Sequence, residues 1–135
     1  MSENTNKIFS TDEKKTNVRV LFSRFEVLSP IFIALSDSVR QNLFMLLLEA
    51  GVDGMNVGDL TANTHLSRPA ISHHLKVLKD NGLVVSHKSG TQIFYYVKMG
   101  EYIDEFRQFH ELLNEMIQSI DSDLIAQKAP WMFGR

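Results

Sequence analysis

The chain has no cysteine among its 135 residues. That excludes disulfides, thiolate metal sites and thiol-based redox sensing. Long apolar runs are also missing. The longest, Leu43 to Leu48, is far too short to span a bilayer, so no membrane association is expected. The opening MSENTNKIF lacks a basic stretch followed by an apolar run, so no secretory leader is expected and the cytoplasm is the expected location. There is no glycine-rich phosphate loop, no HExxH and no nucleophile elbow. Five histidines and sixteen acids are present, but no spacing singles out a catalytic dyad. Neither an enzyme nor a cofactor is expected. Internal repeats and low-complexity tracts are likewise absent.

An excess of positive charge is lacking too, since the net charge is −2. Its distribution says more than its sum. Residues 65–92 carry Arg68, Lys76, Lys79 and Lys88 against the single acid Asp80, a balance of +3. Residues 93–135 carry four basic residues against seven acids, a balance of −3. Four of the five histidines, His65, His73, His74 and His87, fall in the basic segment. A positive reading head on acidic scaffolding has this pattern.

What is present is an ordinary globular composition, 44% hydrophobic and 22% charged, at a length that fits one domain. So short a chain buries a limited core, and a second subunit would help it. Residues 1–16 are polar and read as a mobile arm. From Asn17, the spacing of Val18, Leu21, Phe22, Phe25 and Leu28 predicts an amphipathic helix, ended by Ser29-Pro30. Ile31 to Leu35 reads as a short apolar helix. Ser36-Asp37-Ser38 offers caps for a central buried helix over about 39–50. Asn56 and Asp59 form a capping arrangement for a helix of about eight residues, reaching Thr64. Ser67 caps the next helix, with Pro69 in its first turn, where the missing N–H costs nothing. Asn81-Gly82 ends it. Leu83 to His87 and Thr91 to Val97, joined by Lys88-Ser89-Gly90, read as a hairpin. A long helix is expected over about 101–126. Residues 127–135 form an apolar tail, leaving 17–126 as the domain.

Two helices joined by a tight turn and followed by a basic hairpin define a winged helix-turn-helix, mainly α with a small β-hairpin wing. On a helical wheel Ile71, Leu75 and Leu78 share one side of the second helix, flanked by Ala70 and His74. Pro69, Ser72, His73, Lys76 and Asp80 face the other way. The outer stripe carries hydrogen-bond formers suited to base edges and phosphates. A solvated helix face would also be polar; the adjoining wing, with His87, Lys88, Thr91 and Gln92 near its tip, is what favours double-stranded DNA as the partner. The expected DNA-binding set is Ser67, Arg68, Ser72, His73, Lys76, His87, Lys88, Thr91 and Gln92. A winged helix used only for protein contacts is the alternative, and an acidic or apolar outer face would have pointed to it.

The runs Ala34 to Arg40, Leu66 to Leu78 (LSRPAISHHLKVL), Asn81 to Val84 and Gly90 to Val97 resemble the ArsR/SmtB family of repressors over about residues 31–98. The resemblance implies a homodimer that occupies an operator and blocks transcription, with base contacts from Arg68, Ser72 and His73. His74 corresponds to a flanking, mostly structural position. Where the family usually has a turn glycine, this chain has His65, which is expected to take a positive φ.

Many members of that family sense metals. One known site uses Cys-Val-Cys, and Asn56-Val57-Gly58 stand there. Another uses an Asp and a His two apart on the last helix, with further ligands eleven and fourteen residues on. Here Asp104 is followed by Phe106, Ile117 and Ile120, so no metal site is expected. A metal-sensing repressor with non-standard His or carboxylate ligands, such as His110 with Glu111 or Glu115 across a dimer, remains an alternative. Otherwise the unknown signal is an organic molecule, a partner protein or pH; protonating the four histidines of the basic segment would tighten DNA binding in acid.

On the last helix Tyr102, Phe106, Phe109, Leu113, Met116 and Ile120 step by fours and threes, a heptad-like seam. Ile103, Ile117 and Leu124 add a second row. With Val18, Leu21, Phe22 and Phe25 these are expected to form an intersubunit bundle, although an intrachain core would show the same spacing.

Overall fold

The computed structural model describes residues 8, 9 and 13–134 of the chain. Its helices are α1 (Glu13–Ala34), α2 (Ser38–Ala50), α3 (Val57–Ala62), α4 (Arg68–Asp80), α5 (Glu101–Gln118) and α6 (Ser122–Lys128). Strands β1 (Val84–Ser89) and β2 (Gln92–Val97) lie between α4 and α5, and short 3-10 turns follow α2 and α6. Among the described residues no helix is long and apolar enough to cross a membrane. The chain divides into two compact units. One is Leu28–Tyr102; the other takes in the described residues up to Val27 and from Ile103 onward.

Within Leu28–Tyr102 the core is built from one face of each helix. Leu28, Ile31 and Ala34 of α1, Leu43 and Leu47 of α2, Leu60 of α3, and Ile71, Leu75 and Leu78 of α4 are all buried, as is Val84 of β1. Asp37 sets the start of α2, its Oδ1 accepting the N–H groups of Val39 and Arg40 at 2.9 and 3.0 Å. Arg40 Nε donates back to the Ala34 carbonyl at 2.6 Å, and Gln41 Nε2 to that of Leu35 at 2.7 Å. The tight α1–α2 connection thus has its open carbonyls satisfied by side chains from the next helix.

Pro30 does not end the first helix, contrary to the sequence expectation: α1 runs through it. Proline withholds one N–H, at a cost of about 3 kcal/mol in a helix interior. Leu28, Ile31 and Ala34 fall on one face only if the helix continues, and burying Leu and Ile recovers roughly 1.5–3 kcal/mol each. The helix also begins earlier than Asn17, at Glu13.

His65 departs from expectation as well. Among the described residues every positive φ belongs to glycine. The turn closes by side-chain bonds instead. Asn63 Nδ2 donates to the Asp59 carbonyl and Thr64 Oγ1 to that of Leu60, both at 2.8 Å, while Thr64 Oγ1 accepts from Leu66 N at 3.3 Å.

β1 and β2 pair antiparallel, with Ser89 opposite Gln92 and Val84 opposite Val97. The loop is therefore Gly90-Thr91, slightly beyond the expected turn. Gly90 has φ +64 and Thr91 is not positive, as a type II′ hairpin turn requires. Gly82, past the end of α4, has φ +79, and a Cβ there would lie 2.7 Å from the Tyr102 ring.

In the other unit the expected single helix is broken after Gln118. Ser119 Oγ donates to the Met116 carbonyl at 2.8 Å, and Asp121 Oδ1 accepts from Leu124 N at 3.0 Å to start α6. Such side chains offer the backbone an alternative to continuing the helix. Ile120 pairs instead with Phe9, and Asp121 N donates to the Ile8 carbonyl at 2.7 Å. Ile8 and Phe9 are thus held by backbone pairing, whereas the sequence put them in a free arm. Residues 1–7 and 10–12 of that arm lie outside the described residues, and residues 13–16 belong to α1. The tail is a 3-10 turn over Pro130–Phe133.

The Asp37 cap generates a pH prediction. The N–H of Arg40 foremost, helped by the Arg40 guanidinium, the Val39 N–H and His74, holds the Asp37 carboxyl below its ordinary value; desolvation, the second-largest effect, opposes them. A depressed folded-state value means stability that is present above the unfolded value near 3.8 and lost as pH falls through the folded one. Asp37→Asn should leave urea-unfolding stability less sensitive to pH below about 4 than in the wild type. Identical acid limbs for the two proteins would show that the cap contributes no such dependence.

Candidate nucleic-acid interface

The second helix of the helix-turn-helix, α4, is anchored from its first turn. Ser67 Oγ accepts from Ala70 N at 3.3 Å and Pro69 occupies the first turn. Its apolar stripe, Ile71, Leu75 and Leu78, is buried, while Arg68, Pro69, Ser72, His73, Lys76, Lys79 and Asp80 are exposed. The wheel drawn from the sequence is the one observed. His74 is half-buried, with its Nδ1 enclosed and without a hydrogen-bond partner. Its ring lies 5.5 Å from that of exposed His73, edge to face.

The expected reading residues have different amounts of freedom. Ser67 spends its hydroxyl oxygen on the cap. Lys76 Nζ lies 2.7 Å from Asp80 Oδ2, an exposed ion pair one turn apart that is worth little and readily exchanged for phosphate. Lys79 Nζ donates to Ser86 Oγ of β1 at 2.7 Å, tying the end of α4 to the wing.

Strand alternation separates two residues that the sequence grouped together. Lys88 shares a face of the hairpin with Ser86 and Ile93, and His87 lies on the opposite face with Ser89, Gln92 and Phe94, although Gln92, at the start of its strand, also borders the cleft. Since Ser86 is bonded to α4, Lys88 is on the α4 side of the wing and His87 on the far side.

Between the start of α4, the start of α3 and the wing lies an open cleft of about 490 Å³. Asn56, Gly58, Arg68, Ser72, Thr91 and Gln92 line it. Asn56, Ser72, Thr91 and Gln92 are polar, and Arg68 brings a full positive charge. The Arg68 guanidinium reaches over Gly58, where a Cβ would sit 3.6 Å from Nη2.

Asn56 was legible in the sequence only as a cap. It is one: Oδ1 accepts from Asp59 N at 2.7 Å, and Asn56 N donates to Asp59 Oδ2 at 3.1 Å. Its Nδ2 also donates to Gln92 Oε1 of the wing at 3.2 Å. The choice of asparagine as the cap was the available signal, because asparagine keeps an amide donor that serine and aspartate lack.

A helix-turn-helix with a twisted two-stranded wing beside its second helix defines the class of winged helix-turn-helix DNA-binding proteins. The model of the family described as bacterial regulatory protein, arsR family, matches residues 37–86. The transcriptional repressor SdpR of Bacillus subtilis is 38% identical over 65 residues, spanning 48% of this chain and 69% of its own. The arsenical resistance operon repressor of Staphylococcus aureus is 31% identical over 97 residues, spanning 72% of this chain and 80% of its own. Among solved structures, an ArsR-like transcriptional regulator from Rhodococcus sp. RHA1 is 30% identical and superposes with a TM-score of 0.59, covering 72% of this chain and 86% of that one. The chain belongs to the ArsR family and is a DNA-binding transcriptional regulator.

The metal positions known in that family do not fit a metal here. Asn56 commits both side-chain polar atoms to the cap and the wing, and Gly58 has no side chain. Phe106, Ile117 and Ile120 offer no lone pair. Among the described residues no group of three or more His, Asp or Glu is arranged to hold an ion.

The position of Lys88 generates a salt prediction. Lys88→Ala should weaken binding to operator and to random duplex DNA by similar factors. It should also make the slope of log affinity against log salt shallower by about one unit per wing. An unchanged slope would mean that the wing does not meet the backbone.

Proposed function

We propose that this regulator is a repressor that binds a pseudo-palindromic double-stranded operator as a homodimer, acts in the cytoplasm and has no catalytic activity of its own. The observation that carries the reading is the exposed polar stripe of α4 standing beside a basic wing. Arg68, Ser72 and His73 contact base edges. Lys76 and Lys88 meet phosphates, with Thr91 and Gln92 of the wing and the capped turn at Ser67 alongside them. His87, on the outer face of the hairpin, contributes to the field more than to contact. The relatives named as repressors support repression as the outcome.

The homodimer reading rests on apolar surface in the unit that includes residues 18–27 and α5. Phe22 is 60% exposed and Ile117 55%, and Ile103, Phe106 and Ile120 are also exposed. Half-buried Val18, Phe25, Phe109, Leu113 and Met116 lie in the same unit, while Tyr102, the remaining residue expected from the sequence, is half-buried in the other, its ring beside Gly82. Phe25 already stacks edge-on against Phe109 within the chain, at 4.9 Å. Two members change standing. Leu21 is 1% exposed and has no surface left for a partner. Ile120 lies past the end of α5, so the helical seam stops at Met116. Apolar surface of this extent is what a partner subunit covers.

Arg68→Ala and His73→Ala should each weaken binding to the duplex upstream of the chain's own gene by roughly 1–3 kcal/mol, the size of a lost base contact. Fluorescence anisotropy reads the affinity and circular dichroism the fold. Wild-type affinity in both variants would mean that α4 reads DNA through other residues. Sedimentation of the wild type and of Phe22→Asp checks the dimer, the expected change being from two subunits to one. A monomeric wild type would refute it.

A further inference from the structure

Asn56 stands at a junction between two parts of the DNA-binding head. Its backbone segment is paired with the wing: Tyr95 N donates to the Met55 carbonyl at 2.8 Å, and Met55 N to that of Tyr95 at 3.1 Å. Gly54, at φ +61, lets the segment pass so close that a Cβ would lie 2.5 Å from the Tyr96 ring. Residues 54–56 therefore run along β2 and lead directly into α3. At the end of this edge the Asn56 side chain divides its work. Oδ1 holds the first turn of α3, and Nδ2 reaches 36 positions along the chain to Gln92, the first residue of β2.

Backbone pairing at Met55 and Tyr95 fixes how far along β2 the helix-turn-helix sits. It does not itself hold the tip of the hairpin, whose residues Lys88, Ser89, Gly90, Thr91 and Gln92 are all exposed. The Asn56–Gln92 bond is a tie beyond the pivot, between two residues that both line the cleft. On the other strand Lys79 to Ser86 is a tie from α4. Both ties bear on the width of the cleft between Arg68 and Thr91.

We propose that Asn56 is a positioning residue for DNA binding: through Gln92 it holds the wing tip at the distance from α4 that one duplex requires. This rests on the reading of the cleft as a DNA-binding site. Pre-setting the wing lowers the ordering cost of association, so loss of the tie appears as lost affinity without loss of fold.

The test separates the two jobs of one side chain. Asn56→Ser keeps the cap, since serine caps about as well as asparagine, but is too short to reach Gln92. Asn56→Ala removes both. In the full chain, Asn56→Ser should melt close to the wild type and Asn56→Ala lower. Anisotropy with the duplex upstream of the chain's own gene should show Asn56→Ser binding about three- to tenfold more weakly, the range for one exposed neutral hydrogen bond. In a Gln92→Ala background the same substitution should cost nothing further. Without DNA, amide hydrogen exchange over residues 89–93 should quicken in Asn56→Ser. An equal loss in both backgrounds, or no loss with exchange unchanged, would overturn the proposal. If the wild type fails to bind the duplex, the functional reading falls and the exchange measurement alone decides for or against the tie.

Discussion

The constraint on which the rest depends is the burial of one stripe of α4. Ile71, Leu75 and Leu78 are closed off from solvent inside a core made with Leu43, Leu47 and Leu60. Each such side chain contributes roughly 1.5–3 kcal/mol by leaving water. Successive residues of a helix are about 100° apart, so turning α4 by even one position would bring Ser72 or Lys76 into that core and expose leucine. Burial of a hydroxyl or an ammonium without a partner is costly enough to forbid it. The outward direction of Arg68, Ser72, His73 and Lys76 is therefore a consequence of packing, and the backbone that carries them is as fixed as the core behind it.

The wing inherits its placement from the same core by way of Val84, which is buried, and from the edge formed by residues 54–56. Asn56 and Gly58 stand where the family's thiols would be. Asn56 joins helix to wing by neutral hydrogen bonds. The apolar residues at the second metal position, Phe106 and Ile117, lie among exposed apolar surface suited to covering by a second subunit.

What could be read from the sequence followed from how local its cause was. Ser67, Pro69 and the three- and four-residue spacing of Ile71, Leu75 and Leu78 are all contained within α4, and both its limits and its faces were legible. So were the caps at Asp37 and Asn56, each acting on a residue within three positions. The continuation of α1 through Pro30 was not, because the local cost of proline is visible in sequence and the burial of Leu28, Ile31 and Ala34 against remote residues is not. The end of α5 depends on Ile8 and Phe9, more than a hundred positions away. His65 was misread because a glycine position invites a positive φ, whereas Asn63 and Thr64 close the turn by side-chain bonds. The Lys76–Asp80 pair was within reach of helical spacing. The pairing of Asn56 with Gln92 was not, since only the folded wing brings them together.

The central claim is that one face of the head, α4 together with the near side of the wing, meets DNA. Amide chemical-shift mapping on adding duplex DNA from upstream of the chain's own gene tests it most directly. Shifts should concentrate at residues 67–76 and 88–92, with Leu48, Val52 and Met99 on other exposed surface unmoved. Shifts centred on those three residues, with 67–76 silent, would contradict it.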